Sequence, residues 1–172
     1  MNPCKPILGA LLAAALALPV SLAAKPLTIG LASEPTSMDP HFHNLTPNNA
    51  MATHIFSRLI EQDDKQRLIP GVATEWKAVD DLTWEFKLRK DVKFHDGTPL
   101  TADDVVFSWE RAPDVAGSPS SFATYTKGKT VTMVDDYTVR IVTPRPHPLM
   151  PQDASNVHLI SRKNGEGAKT AD

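Results

Sequence analysis

Paired acidic residues are the most frequent chemically reactive feature of this sequence. Asp63-Asp64, Asp80-Asp81, Asp103-Asp104 and Asp135-Asp136 each place two carboxyl groups side by side. Paired carboxylates can perform general acid–base catalysis. Each pair, however, lies at a predicted turn or helix start, where adjacent side chains point in different directions. The sequence therefore predicts that these carboxylates bond the local backbone and have no catalytic role.

Histidines offer a second possible chemistry, which is metal binding. His41 and His43 are separated by one residue, and His54 follows them. A His-x-His spacing would place both rings on one side of a strand. The segment has loop composition, however, and no carboxylate or further histidine follows at a regular spacing. We therefore predict neither a metal site nor a cofactor, and we interpret His95 and His147 as ordinary surface or loop histidines.

Nucleophilic catalysis has no support in the sequence. It contains no G-x-S-x-G motif, no phosphate-binding loop and no dinucleotide-binding fingerprint. Ser118, Ser120 and Ser121 have no positioned base, so they are predicted to be loop residues. The sole cysteine is Cys4, which excludes a disulfide framework and a cysteine-based zinc site. These observations predict a protein that is not an enzyme.

The elements that must position these side chains are short. The chain has 172 residues and 15 prolines, which predicts one domain or two small ones and excludes a long-helix bundle. Charge is nearly balanced, with 18 Lys+Arg against 20 Asp+Glu. This balance argues against nucleic-acid binding, which requires clustered basic residues.

The first 23 residues have the organisation of a secretory signal peptide. Lys5 precedes the apolar run ILGALLAAALAL (7–18), Pro19 follows it, and Ser21-Leu22-Ala23 offers a cleavage site. The run is too short to span a bilayer. Residues 1–23 are thus predicted to be removed, which leaves residues 24–172 as an exported, soluble chain. Cys4 precedes the apolar run, so it cannot be the acylated cysteine of a lipoprotein.

Hydrophobic periodicity predicts a mixture of strands and helices. A buried strand is expected over 27–31, and a helix is expected from Thr46, as N-cap, to about Leu59. A second helix begins at Thr101, where T-x-x-D approximates a capping box. Two hairpins with Asp-Asp turns are expected to use the same turn chemistry in one sheet. Their strands, with two further short ones, are predicted over 75–79, 82–88, 131–134, 137–142, 92–95 and 157–160.

Four sequence segments, in the order in which they occur, carry a family resemblance. They are SEPTSMDPH (33–41), LIPGVATEW (68–76), DDLTWEFKLR (80–89) and VKFHDGTPLTADDVVFSW (92–109). The series closely resembles the N-terminal part of the family 5 extracellular solute-binding proteins, the dipeptide and oligopeptide receptors of ABC importers. The resemblance extends over nearly all of the chain from about residue 27.

The resemblance implies an α/β fold: an incomplete periplasmic-binding-protein-like (type II) lobe with a mixed sheet and antiparallel hairpins. It also implies a monomeric periplasmic receptor that captures a short peptide and delivers it to an ABC permease in the inner membrane. The ligand-binding residues it implies are Asn44, Leu45 and Thr46, together with Phe122 and, as a second aromatic, Tyr125.

The chain departs from the family in its length. Family members have several hundred residues, and the residues that anchor the two ends of a peptide lie in parts that are absent here. Residues 24–172 are therefore expected to be an N-terminal portion that binds peptide weakly or not at all by itself. Three alternatives stay open: a receptor of the same scaffold for nickel or haem, a secreted hydrolase, and a small stand-alone interaction domain.

Overall fold

The computed structural model describes residues 27–168. By its internal contacts the chain divides into two units, residues 1–30 and 31–172, and every helix and strand described below belongs to the second. The helices are α1 (Thr46–Ala52), α2 (Ala102–Arg111), α3 (Ala123–Thr126), α4 (Met150–Ala154) and α5 (Arg162–Gly165). The strands are β1 (Ile60–Gln62), β2 (Leu68–Pro70), β3 (Ala73–Ala78), β4 (Thr83–Leu88), β5 (Thr130–Asp135) and β6 (Thr138–Val142).

Two predicted hairpins build the main sheet. Its strand order is β3-β4-β6-β5, and all of its ladders are antiparallel. Both hairpins turn in the same way: Asp80 accepts a hydrogen bond from the amide of Leu82, and Asp135 accepts one from Tyr137, each at 2.8 Å. The predicted repeat of one turn chemistry within one sheet is therefore confirmed.

The sheet separates an apolar face from a charged face. Phe86 pairs with Trp76 on one side and with Val139 on the other, and Phe86 and Val139 are fully buried. On the opposite face, Glu85 lies between Lys77 and Arg140 and accepts two hydrogen bonds from the Arg140 guanidinium, at 2.9 and 3.0 Å. The period-two pattern of β4 thus predicted the division into an apolar and a charged face, with two exceptions: Leu82 is exposed, and Glu85 is buried in its ion pairs.

Helix α2 covers the apolar face of the sheet near β5 and β6. Its predicted capping box is present: the Asp104 carboxylate accepts hydrogen bonds from the Thr101 amide at 2.9 Å and from its hydroxyl at 3.2 Å. Val105 and Trp109, one turn apart, are both buried in the core. The N-terminal signals of this helix and its core-facing residues were therefore predicted correctly.

The first helix is shorter than the sequence predicted. The N-cap of α1 is Leu45, not Thr46, and the helix ends at Ala52, not near Leu59. From residue 57 onward the backbone has other partners, because the carbonyls of residues 57–59 accept hydrogen bonds from the amides of Leu159, Val72 and Ala73. Tertiary pairing has overridden the local helical periodicity, and Leu59 is fully buried outside the helix.

Three predicted strands do not form. Residues 92–95 and 157–160 make only isolated bridges, Lys93 with Pro99 and Arg58 with His158. Residues 27–31 pair with no other described strand, and their large side chains are exposed. A buried strand needs a backbone partner and a covering layer, and the part of the chain described here supplies neither.

The structure does not bear on the predicted signal peptide, because residues 1–23 and Cys4 lie outside the described residues. Within residues 27–168, no helix has the length and hydropathy needed to cross a membrane.

Candidate functional site

The structure brings the two predicted ligand-binding segments together. The amide of Asn44 donates a hydrogen bond to the carbonyl of Ser120 at 2.9 Å, and His43 forms an isolated parallel bridge with Ser120. The Ser118 hydroxyl donates to the carbonyl of Phe42 at 2.6 Å. We call this contact between residues 42–46 and 118–122 the loop junction. Residues more than 70 positions apart in sequence thus form one surface.

Asn44, Leu45 and Thr46 lie at the edge of the loop junction. Asn44 is half-buried, and its side-chain oxygen accepts a hydrogen bond from the Asn49 amide group at 3.0 Å. Leu45 and Thr46 are exposed, and Leu45 has 39% of its surface accessible. An ordered amide beside an exposed apolar side chain can contact both polar and apolar groups of a ligand.

The two predicted aromatic residues have different environments. Phe122 is fully buried, and its ring lies 6.1 Å from the His41 ring and 6.2 Å from the Tyr125 ring. Tyr125 is half-buried in α3. Phe122 therefore packs as a core residue beneath Tyr125, and Tyr125 is the aromatic of the pair that solvent reaches. Their contact with a ligand remains a prediction.

A buried ion pair lies below the loop junction. Arg111, the last residue of α2, makes two hydrogen bonds to the Asp39 carboxylate, at 2.6 and 2.9 Å. The same carboxylate accepts a hydrogen bond from the backbone amide of His41 at 2.9 Å. Both charged side chains are less than one-fifth exposed. Since a two-bond guanidinium–carboxylate pair fixes geometry as well as charge, it holds the start of residues 39–46 on α2.

The hydrogen bonds of His41 define its protonation state. Its Nδ1 lies 3.1 Å from Arg111, which can only donate, and its Nε2 lies 2.8 Å from the carbonyl of His158, which can only accept. The ring is therefore neutral with its proton on Nε2. Burial, which has the largest effect, and the Arg111 charge together lower the pKa of His41 to about 4, against opposing effects from the His158 carbonyl and Asp39.

His158 is buried without a hydrogen bond to either ring nitrogen within the described residues. Its ring makes an edge contact with Phe56, at 6.4 Å between centroids. Burial lowers its pKa to about 3, and the nearby Arg58 charge and His41 act in the same direction. His41 and His158 therefore form a pair of neutral imidazoles inside the fold.

The three histidines considered for metal binding do not converge. His41 uses both ring nitrogens within the fold, and His43 contacts the Thr36 hydroxyl through Nδ1 at 2.9 Å. His54 is exposed in the turn after α1. Across residues 27–168, no three histidine, cysteine or acidic side chains are grouped so that they could hold a metal ion.

A separate cavity of about 610 Å³ is lined in part by Asp39 and Arg111. It contains none of the five predicted ligand-binding residues. Its walls are largely apolar and include Ile55, Phe56, Phe94 and Leu159.

No pattern in the sequence predicts the roles of Arg111 and His158. Their partners Asp39 and His41 are 72 and 117 positions away in the chain. The only available signals were an aspartate in the SMDP loop and an arginine at the end of a predicted helix.

Comparison with known proteins identifies the family of this chain. Residues 67–171 match the family model described as bacterial extracellular solute-binding proteins, family 5, middle region. The chain belongs to the family 5 solute-binding proteins. The resemblance inferred from the four sequence segments is therefore confirmed.

Three relatives from Escherichia coli K12 illustrate the range of the family. The periplasmic murein peptide-binding protein MppA is 43% identical over 81 residues, which is 47% of this chain. The periplasmic oligopeptide-binding protein OppA is 38% identical over 104 residues, or 60% of the chain. The glutathione-binding protein GsiB is 30% identical over 136 residues, or 78% of the chain. All three are named as binding proteins.

The solved structure of MppA in its unliganded open form superimposes with a TM-score of 0.73 and 33% identity. It covers 81% of this family 5 chain and 31% of the MppA chain. The predicted fold class, a type II periplasmic-binding-protein lobe of mixed α/β structure with antiparallel hairpins, is thereby confirmed. In the sequence alignments the chain spans only 15%, 19% and 27% of MppA, OppA and GsiB, respectively.

Proposed function

We propose that this chain is part of a periplasmic receptor that binds short peptides for uptake by an ABC importer. The observation that carries the proposal is the similarity to two proteins named for peptide binding, MppA at 43% identity and OppA at 38%. A receptor of this class binds its ligand and passes it to a membrane permease without covalent change. The proposal therefore includes the absence of enzymatic activity.

Within this receptor, Asn44, Leu45, Thr46 and Tyr125 contact the ligand directly. Their position supports this role, because the loop junction joins the two segments and leaves Leu45 and Thr46 exposed. Phe122 contributes from below, since its buried ring packs against Tyr125. A peptide offers backbone amides and carbonyls to the Asn44 side chain and apolar groups to Leu45 and Tyr125.

The remaining parts of the proposal concern the whole protein. Residues 24–172 form the N-terminal portion of a longer monomeric receptor, residues 1–23 direct its export to the periplasm, and the mature protein carries no lipid. The first point is supported by the sequence alignments, in which the chain covers only 15% of MppA and 19% of OppA. Residues 24–172 alone bind peptide weakly or not at all, because a cleft between lobes needs both walls.

A test of peptide binding compares ligands on the mature product of the complete reading frame. Its melting temperature would be measured with tripeptide and tetrapeptide pools, with glutathione and with a nickel–histidine complex. The proposal predicts an upward shift with at least one peptide pool, because a ligand that binds only the folded state stabilises it. A shift with nickel–histidine or another solute, and none with peptides, would make the peptide assignment wrong.

Site residues require a matched comparison of variants. Asn44→Ala is expected to weaken peptide binding, whereas Thr74→Ala, an exposed substitution on β3, is expected to leave it unchanged. Equal affinities for the two variants would remove Asn44 from the site.

A further inference from the structure

Lys129 is a lysine that is buried between α3 and β5. Its side chain is only 8% exposed. Its ammonium group lies 2.5 Å from Oδ2 of Asp153, a residue of α4, and also donates to the backbone carbonyl of Tyr125. Taking an ammonium group out of water is costly unless it is paired and hydrogen-bonded, and here both conditions are met.

The partner carboxylate has a second donor. Nε2 of His147 lies 2.7 Å from the same Oδ2 atom of Asp153. His147 belongs to the proline-rich connector between β6 and α4. Lys129, Asp153 and His147 therefore join three segments at one carboxylate oxygen. We call these three residues the lysine clamp.

Helix α3 depends on contacts of this kind. It has four residues, and a single helical turn is not stable by itself. The last carbonyls of a helix have no intrahelical donor, and a lysine side chain close to the C-terminus can supply one. Lys129 supplies a donor to Tyr125, the third of the four residues of α3.

We infer that Lys129 is a positioning residue that holds the ring of Tyr125 at the ligand-binding surface. The connection is short: Asp153 fixes the ammonium group, the ammonium group fixes the Tyr125 backbone, and the Tyr125 ring then packs on Phe122. This inference rests on the proposed function for the part that concerns the ligand. The position of the Tyr125 ring can be tested without any ligand.

The test uses full-length protein labelled with 3-fluorotyrosine and measured by ¹⁹F NMR. Substitution of Tyr125 by Phe and of Tyr137 by Phe assigns the resonances of these two tyrosines. The variants are Lys129→Met, which removes the donor, and Lys129→Arg, which keeps a cationic donor. Lys127→Met is the matched control, because Lys127 is an exposed lysine two positions away.

The inference predicts that Lys129→Met shifts or broadens the Tyr125 resonance and leaves the Tyr137 resonance unchanged. Peptide affinity should fall about tenfold, as expected on losing one charged hydrogen bond. In Lys129→Arg, both the Tyr125 resonance and the peptide affinity should be close to those of the wild type. Lys127→Met should match the wild type in both measurements. Should Lys129→Met fail to fold, Asp153→Asn takes its place as the variant that disrupts the pair, and it is compared with Lys129→Arg in the same way.

An unchanged Tyr125 resonance in Lys129→Met would overturn the inference, whether or not the peptide affinity falls. Wild-type protein that binds no peptide, with a shifted Tyr125 resonance in Lys129→Met, would contradict the proposed function and still support the positioning of the ring. The two proposals therefore fail by different observations.

Discussion

Mild acid should destabilise this protein well above the pH at which its carboxylates titrate. The buried pair His41 and His158 has pKa values of about 4 and about 3, below the ordinary value of 6.5. In the unfolded chain both rings regain their ordinary pKa. Between pH 6.5 and about pH 4, the unfolded state therefore binds more protons than the folded state, and acidification favours unfolding.

The size of the effect follows from proton linkage. One histidine that is protonated only in the unfolded state changes the free energy of unfolding by about 1.4 kcal/mol per pH unit. From pH 7 to pH 5, each of the two rings contributes a loss of about 2 kcal/mol, so that the pair contributes about 4 kcal/mol. Small proteins are stable by only about 5–15 kcal/mol, so this loss is a large fraction of the total.

The carboxylates of this protein change its stability only at lower pH. Hydrogen bonds to the Leu82 amide and to Arg140 hold the pKa values of Asp80 and Glu85 below their usual range. The stability from such groups is present above their ordinary pKa of about 4 and is lost as the pH falls below it. Loss of stability between pH 7 and pH 5 therefore reports on the histidines.

Urea denaturation followed by tryptophan fluorescence at pH 7, 6 and 5 measures the effect. His158→Leu should reduce the loss from about 4 to about 2 kcal/mol, because the remaining ring is His41. Neither ring nitrogen of His158 has a hydrogen-bond partner among the described residues, so the substitution by leucine removes no side-chain hydrogen bond there. His95→Gln, an exposed substitution, is the control and should keep the wild-type pH dependence.

Two outcomes would refute this reasoning about the buried histidines. One is a free energy of unfolding that does not change between pH 7 and pH 5. The other is a His158→Leu variant with the same pH dependence as the wild type.

Three further predictions concern stability, each measured as the urea midpoint against wild type. Phe122→Ala should cost about 3–5 kcal/mol because the ring is fully buried; a loss below about 1 kcal/mol would show that the site collapses around the gap. Asp39→Asn should cost about 3–5 kcal/mol by leaving Arg111 without its charge partner, and an unchanged midpoint would refute the role given to this pair. Gly71→Ala should destabilise strongly, since a Cβ atom would lie 2.6 Å from the Arg58 carbonyl oxygen, whereas an equally stable variant would mean that the backbone moves aside.

Local signals predicted the parts of the fold in which partners are close in sequence. The hairpin turns at Asp80 and Asp135, the alternation in β4 and the capping box at Thr101 each involve neighbours within a few residues. These features were correct in type and nearly correct in their bounds.

The errors arose where distant segments compete with local preference. Residues 57–59 continue the helical periodicity of α1, but their carbonyls bond Leu159, Val72 and Ala73 instead. The strand expected over 157–160 makes one bridge, with Arg58. No short window of sequence contains these partners, so periodicity alone could not exclude the longer helix.

The sequence predicted which segments form the candidate site, but it did not predict the ion pairs that hold those segments in place. The resemblance selected residues 44–46 and the aromatics Phe122 and Tyr125, and the structure places the two segments in contact. The Asp39–Arg111 pair joins residues 72 positions apart, and the Lys129–Asp153 pair joins residues 24 positions apart. Such contacts follow from the fold and leave no motif in the sequence.

Native mass spectrometry of the full-length protein, purified without denaturation, tests the central claim most directly. Peptide receptors that bind tightly retain cellular ligands, which release in the gas phase and can be sequenced. The account predicts bound species with the masses and fragmentation of short peptides, and their displacement by an added tripeptide pool. Bound species that are not peptides, or protein that neither carries a peptide nor takes one up from the pool, would contradict it.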